Sequence, residues 1–355
     1  MKDIKSLLKE IKYPGSSKDI IALDMVQNIK VEGDILSFRL VFQKSEDPFT
    51  AVVKRKCEEL LRAKTDYNDI RIEVVFIQDL ERPLSVEKVK NIVAISSGKG
   101  GVGKSTVAAN LAVALVLDGY KVGLIDADIF GPSIPKMFGV EEERPYLTEI
   151  DGKDYIEPVE KYGVKLLSIG FFVDSDAATV WRGPMASGAL KQLIEQGHWG
   201  ELDFLLIDLP PGTSDIHLTL VQTLALTGAV VVTTPQHVAL ADAVKGINMF
   251  ESPGISVPVL GIVENMSWFT PEELPQNRYY IFGNSGGKRL AEEKGLPLLG
   301  QIPVVQGICD SGDNGRPIVA DTHSVVASAF MELAENLVRE VESRGETAKR
   351  VKLHK

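Results

Sequence analysis

The sequence predicts an α/β protein, a doubly wound and mostly parallel sheet preceded by a small α+β unit. Three observations lead there. From residue 91 onward, short near-continuous apolar runs alternate with longer segments of helical spacing, the pattern of strands buried on both faces and joined by crossover helices. A glycine-rich segment links the first of these runs to a helix-like stretch. Before residue 80, by contrast, apolar and polar residues alternate strictly, which marks strands with one buried face. At 355 residues, 44% apolar and 25% charged, the chain has room for two domains and a sizeable core. The expected boundaries are 1–82 for the α+β domain, 83–90 for a linker, 91–345 for the α/β domain and 346–355 for a basic tail.

Taken in order, an amphipathic helix opens the chain. Two strand-like runs follow, Met25 to Val31 and Asp34 to Gln43, joined at Glu32-Gly33, a hairpin signal. In the second run Leu36, Phe38, Leu40 and Phe42 share a face. A helix after Asp47-Pro48 carries Phe49, Val52, Val53, Cys57, Leu60 and Leu61 on one side, which makes Cys57 a small buried hydrophobe. The strand Ile70 to Ile77 closes the unit. In the second domain the strand candidates are Asn91 to Ser96, Lys121 to Ile125, Val164 to Ile169, Phe204 to Ile207, Ala229 to Thr233, Val257 to Val263 and Leu298 to Ile302. A final helix, about Ser324 to Ser343, has Phe330, Leu333, Leu337 and Val341 at helical spacing.

With 39 Lys and Arg against 49 Asp and Glu, the formal charge is −10, which disfavours non-specific binding to nucleic acid or anionic membranes. Neither is expected as a partner. Two cysteines, Cys57 and Cys309, cannot frame a disulfide scaffold and suit the reducing cytoplasm. The basic tail from Arg344 offers only Val351 and Leu353 as apolar residues, too little to anchor in a bilayer, and is expected to be a solvated, frayed end. The five histidines show no metal-ligand spacing and are expected at the surface or at helix caps.

The strongest chemical signal is Gly98-Lys99-Gly100-Gly101-Val102-Gly103-Lys104-Ser105-Thr106, a phosphate-loop pattern between a strand and a helix. Glycines let backbone N–H groups turn towards a polyphosphate, the helix N-terminus adds partial positive charge, Lys104 adds a full one, and Ser105 can ligate Mg²⁺. Hydrolysis also needs carboxylates, and two strand ends supply them: Lys121 to Ile125 runs into Asp126-Ala127-Asp128, and Phe204 to Ile207 into Asp208-Leu209-Pro210-Pro211-Gly212. Carboxylates placed there reach the ligand edge of an open α/β sheet. Asp208 suits a water-mediated Mg²⁺ contact, while Asp126 or Asp128 would support the metal, orient a water or cap a helix.

These residues resemble a family. A second lysine inside the loop, Lys99, marks the deviant phosphate-loop ATPases that include MinD, ParA and the nitrogenase iron protein. Within that group the chain is similar to the Mrp/ApbC iron–sulfur cluster carriers, through SSGKGGVGKSTVAANLA at 96–112, DADIFGPSIPKMFG at 126–139, WRGPMASGAL at 181–190, DLPPGTSD at 208–215, GIVENMS at 261–267 and YIFGNSGG at 280–287. The first 80 residues resemble the iron–sulfur-assembly domain often fused in front of them. The resemblance implies an ATP-binding, ATP-hydrolysing protein that binds clusters or transfers them to apoproteins. It implies Mg²⁺ at Ser105 with Asp126 and Asp208 around it, Asp128 positioning the attacking water, and Asn265 near the adenine. Lys99 implies a homodimer in which this lysine reaches the other subunit's nucleotide, as an arginine finger does. A MinD- or ParA-like positioning or adaptor switch without a cluster is the alternative.

One part of the pattern is broken. Such carriers have a Cys-x-x-Cys pair shortly after the Glu-Asn-Met-Ser segment, and here those positions fall near Pro271 and Leu274. The accessory domain commonly carries a cysteine before a proline, where this chain has Asp47-Pro48. Clusters are held mainly by thiolates, so only Cys309, expected in a polar loop, and Cys57 remain as ligands of the chain's own.

Overall fold

The computed structural model describes residues 4–14, 18–23, 25–42, 47, 49–65, 67–76, 83–129, 131–172, 183–213, 217, 220, 224–252, 255, 257–271, 273–274, 276–321 and 324–353. The chain divides into two compact units, 1–81 with 252–256, and the remainder from 82.

In the first unit, helix α1 (Ile4–Leu8) precedes strands β1 (Val26–Glu32) and β2 (Ile35–Phe42), helix α2 (Thr50–Lys64) and strand β3 (Asp69–Phe76). The opening helix is thus a short one. β1 and β2 pair antiparallel around the Gly33 turn, and β3 adds to β2 in parallel, with α2 as the crossover. The alternation along β2 buries Leu36, Phe38 and Leu40, while Val53, Cys57 and Leu61 of α2 present the matching stripe. Each fully buried side chain of this kind contributes about 1.5–3 kcal/mol.

The second unit contains β4 (Val89–Ser97), α3 (Lys104–Leu117), β5 (Val122–Asp126), α4 (Ile134–Phe138), β6 (Tyr146–Ile150), β7 (Lys153–Glu157), β8 (Val159–Lys161), β9 (Val164–Ser168), α5 (Gly183–Gln196), β10 (Leu202–Asp208), β11 (Gly228–Thr233), α6 (His237–Phe250), β12 (Val259–Phe269), α7 (Gly286–Lys294), β13 (Leu298–Val304), α8 (Gln306–Asp313) and α9 (Val325–Leu353). The main sheet runs β13-β12-β11-β4-β10-β5-β9-β8, parallel except for β8 at one edge. Val93 and Ile95 of β4 join a core with α3 and α9, and the alternate residues Ile92 and Ala94 are equally buried on the opposite face. The doubly wound expectation therefore holds. From β4 the chain crosses to β5 on one side, and from β10 it crosses to β11 on the other, which puts the carboxyl end of β4 at the divergence where such sheets bind ligands.

Several expectations are corrected. The 83–90 stretch is no spacer, since Val86 and Val89 are buried and Ser85 Oγ donates to Ile194 O at 2.6 Å. Cys309 lies on α8 instead of a loop, and α9 continues to Leu353, so most of the basic tail is helical. β12 extends to Phe269 through the polar Glu264 and Asn265. His217 is fully buried near Phe250, ring centroids 6.5 Å apart, and is therefore no surface residue. His323 and His354 lie outside the described residues.

Candidate functional site

The carboxyl ends of three strands are tied together before any side chain enters. Leu209 N donates to Ile95 O at 3.0 Å, Gly212 N to Ser97 O at 2.9 Å and Ala127 N to Asp208 O at 2.9 Å. These bonds clamp the Pro-Pro-Gly turn after β10 onto the end of β4 and bring β5 alongside. The glycine loop then leaves β4 and enters α3 through Gly103, whose φ of +78° suits glycine. At Gly98 a side chain would run into the backbone of Asp242 and Ala243, so the loop's first glycine is required by close approach to α6.

The loop walls a cleft of about 220 Å³. Its lining joins Lys99, Gly100, Gly101, Val102, Gly103, Lys104, Ser105 and Thr106 with Asp128 and with four residues not singled out as site residues from sequence, Ser97, Ser133, Met137 and Pro211. Lys99 and Asp128 are half-buried and lie in that same lining. The predicted loop residues from Lys99 to Thr106 are thus brought together with Asp128, whereas Gly98 is not part of the lining.

Beneath the cleft lies a buried charge cluster. Lys104 Nζ sits 2.6 Å from Asp208 Oδ1 and 3.3 Å from Ser105 Oγ, with its side chain 6% exposed and that of Asp208 0% exposed. Among the described residues Asp208 Oδ2 is buried with no hydrogen-bond partner, which is unusual for a carboxylate oxygen and fits a cation or its water beside Ser105. Burial lifts the Asp208 pKa above the ordinary carboxylate range, although Lys104 and Ser105 pull it down. Asp126, paired with Asp208 in register, is likewise fully buried. Burial, and then the Asp208 charge, push its pKa up to about 7. Three hydrogen bonds hold it against that, from Ser168 Oγ at 3.0 Å, Ile134 N at 3.2 Å and Asp128 N at 3.2 Å. Asp126 therefore caps the start of α4 as well as facing the cluster. Ser168, its register partner on β9, was missed; the polar residue ending an otherwise apolar run was the available signal.

Asn265 is placed behind the loop. Its Nδ2 donates to Val102 O at 2.8 Å, and it is absent from the cleft lining. The preceding Glu264, not singled out from sequence, is fully buried and accepts from Gln301 Nε2 at 2.7 Å, Ser267 Oγ at 2.9 Å and the Gly287 amide.

Among the described residues neither thiol belongs to a group of three or more side chains that could hold a metal ion. Cys57 is sealed in the first unit, its pKa pushed up to about 12 by burial, and Cys309 is exposed on α8. Pro271 and Leu274 sit in the turn between Phe269 and Tyr279, which pair as an isolated bridge. Among the described residues no three His, Cys, Asp or Glu side chains are grouped to hold a metal ion, and no helix is long and apolar enough to cross a membrane.

This architecture has counterparts among known proteins. Residues 88–338 match the family model described as NUBPL iron-transfer P-loop NTPase, and residues 1–74 match that of an iron–sulfur cluster assembly protein. An iron–sulfur cluster carrier protein of Synechocystis is 40% identical over 95% of this chain and 97% of its own length. One from Haemophilus influenzae is 43% identical over 96% and 92%. Among solved structures, a nucleotide-binding protein of Archaeoglobus fulgidus in complex with ADP shares 38% identity and a TM-score of 0.58, over 68% of this chain and 92% of that one. The septum site-determining protein MinD of Pyrococcus horikoshii, complexed with Mg-ADP, gives 25% and 0.50 over 70% and 96%.

Proposed function

The chain belongs to the NUBPL iron-transfer P-loop NTPase family, and on that premise we propose that it binds and hydrolyses Mg-ATP in order to pass iron–sulfur clusters to apoproteins. The observation that carries the reading is the glycine-loop cleft over the buried Lys104, Asp208 and Asp126 cluster. Loop amides from Gly98 to Thr106 cradle the phosphates, and Lys104 turns from Asp208 to their charge. Ser105, Asp208 and Asp126 would hold Mg²⁺, which supplies charge neutralisation for the phosphates. Asp128, in the cleft wall, orients the attacking water. Lys99, in the same wall, serves the nucleotide of a second copy in a homodimer, so hydrolysis depends on association.

The cargo poses a separate question of ligands. Iron–sulfur clusters favour thiolates, and the turn at Pro271 and Leu274 offers none. The exposed Cys309, contributed once by each copy, leaves a cluster short of its usual protein ligands, so donor or client thiolates complete the set and the cluster is easily given up. The first unit, similar to assembly proteins, serves client or donor contact. Two free cysteines fit work in the cytoplasm.

Anaerobic reconstitution with iron and sulfide, followed by iron and sulfide counts per dimer, tests the cargo reading. The expected result is a substoichiometric, oxygen-labile cluster lost in Cys309→Ala. A stable cluster in the Cys57→Ala, Cys309→Ala double variant would refute thiolate ligation.

A further inference from the structure

We infer that Asn265 is a positioning residue for the phosphate cradle: by holding the Val102 carbonyl from behind, it aims the Gly103 N–H at the nucleotide's phosphates. The inference rests on the nucleotide-binding reading above and gives Asn265 work on the phosphates, exerted through the loop backbone.

The carbonyl of Val102 and the amide of Gly103 belong to one planar trans unit, so they point in opposite directions. Asn265 Nδ2 donates to that carbonyl at 2.8 Å, fixing it on the side away from the cleft, whose lining includes Val102 and Gly103 but not Asn265. Gly103 N–H is thereby left towards the cleft, and it has no acceptor within the described chain. The contact is close enough that any side chain at Gly103 would strike Asn265 Nδ2. Only a donor can face Val102 O, which also settles the orientation of the Asn265 amide.

The support under Asn265 is rigid. Its backbone is in register with Ile302 of β13. Glu264, one residue earlier on β12 and therefore on the opposite face of the sheet, is bonded to Gln301, Ser267 and the Gly287 amide at the start of α7. Met266, one residue later, adopts φ of +55° where the register with β13 shifts. Both flanks of Asn265 are thus fixed before any nucleotide arrives, and an oriented donor of this kind acts without reorganisation on binding.

Calorimetric titration of the full chain and of Asn265→Ala with MgATP, MgGTP and magnesium pyrophosphate tests the assignment, with Asn265→Ser taken instead if the alanine variant melts well below wild type. Pyrophosphate carries no base. A hydrogen bond to a charged group being at stake, the expected result is an affinity loss of about tenfold, equal for all three ligands, with the wild-type ATP:GTP preference kept. Hydrogen exchange of the ligand-free variant should quicken in residues 98–106 and not elsewhere in β12 or β13. A loss confined to ATP, sparing GTP and pyrophosphate, would overturn the inference and return Asn265 to the base. Unchanged affinities would overturn it as well. Failure of the wild-type chain to bind ATP would instead defeat the nucleotide-binding reading itself.

Discussion

Replacing Lys104 with alanine removes the cation that faces Asp208, and its consequences can be worked from the buried cluster. Both partners are essentially sealed, at 6% and 0% exposure and 2.6 Å apart. Removing one member of such a pair costs about 3–5 kcal/mol, since the other charge is left uncompensated. Here protonation limits the cost, because burial already raises the Asp208 pKa and holds Asp126 at about 7. Without Lys104 the folded-state pKa of Asp208 rises further. The folded variant then binds a proton that the unfolded chain releases, so its stability relative to wild type falls as pH climbs above the ordinary carboxylate range. At about pH 8 we expect a loss near 3 kcal/mol, which for a unit of this size is a drop in Tm of roughly 6–12 °C. Towards acid pH the gap should narrow, as carboxyls whose pKa values are raised by burial take up protons. Thermal melts in magnesium-free, nucleotide-free buffer across this pH range read this directly, and titration of the still-folded variant with MgATP should show no binding. A gap that widens on acidification, or retained ATP affinity in the folded variant, would refute the reasoning.

Three further outcomes follow from the site. Asp128→Asn should bind MgATP within about threefold of wild type while single-site turnover falls about a hundredfold or more, as removal of a water-orienting group predicts; equal losses in binding and rate would point to a structural role. In Lys99→Ala, nucleotide binding should survive while hydrolysis falls by about a thousandfold and ATP-dependent dimerisation disappears in light scattering, and unchanged turnover per site would contradict action in trans. Thiol alkylation at about pH 8 should label Cys309 promptly and leave Cys57, whose pKa is pushed up to about 12, unlabelled until the first unit unfolds; early labelling of Cys57 would contradict its burial.

What could be read in the sequence was whatever depends on local spacing. The glycine loop, the strand-end carboxylates Asp126, Asp128 and Asp208, and the stripe of α2 all follow from periodicity or motif, and the structure places them accordingly. What escaped depends on distant partners. β6 and β7 pair with each other with Tyr146 and Leu147 largely exposed, so no alternation announces them. α8 buries no residue at all and contains two glycines, which is why the stretch around Cys309 reads as a loop. The polar end of β12 looks unlike a strand until Gln301 and Gly287, 37 and 23 residues away, satisfy Glu264. Asn265 meets Val102 across 163 residues, a contact with no local signature.

The most direct measurement of the central claim is the rate at which a cluster passes from a loaded donor to an apo iron–sulfur enzyme whose activity reports its arrival, with and without MgATP. With the wild-type chain present, MgATP should accelerate transfer, and Lys104→Ala should abolish that acceleration while leaving the donor's slow spontaneous transfer untouched. Transfer at the same rate with wild type, with Lys104→Ala and with no protein added would contradict a role for this nucleotide site in cluster delivery.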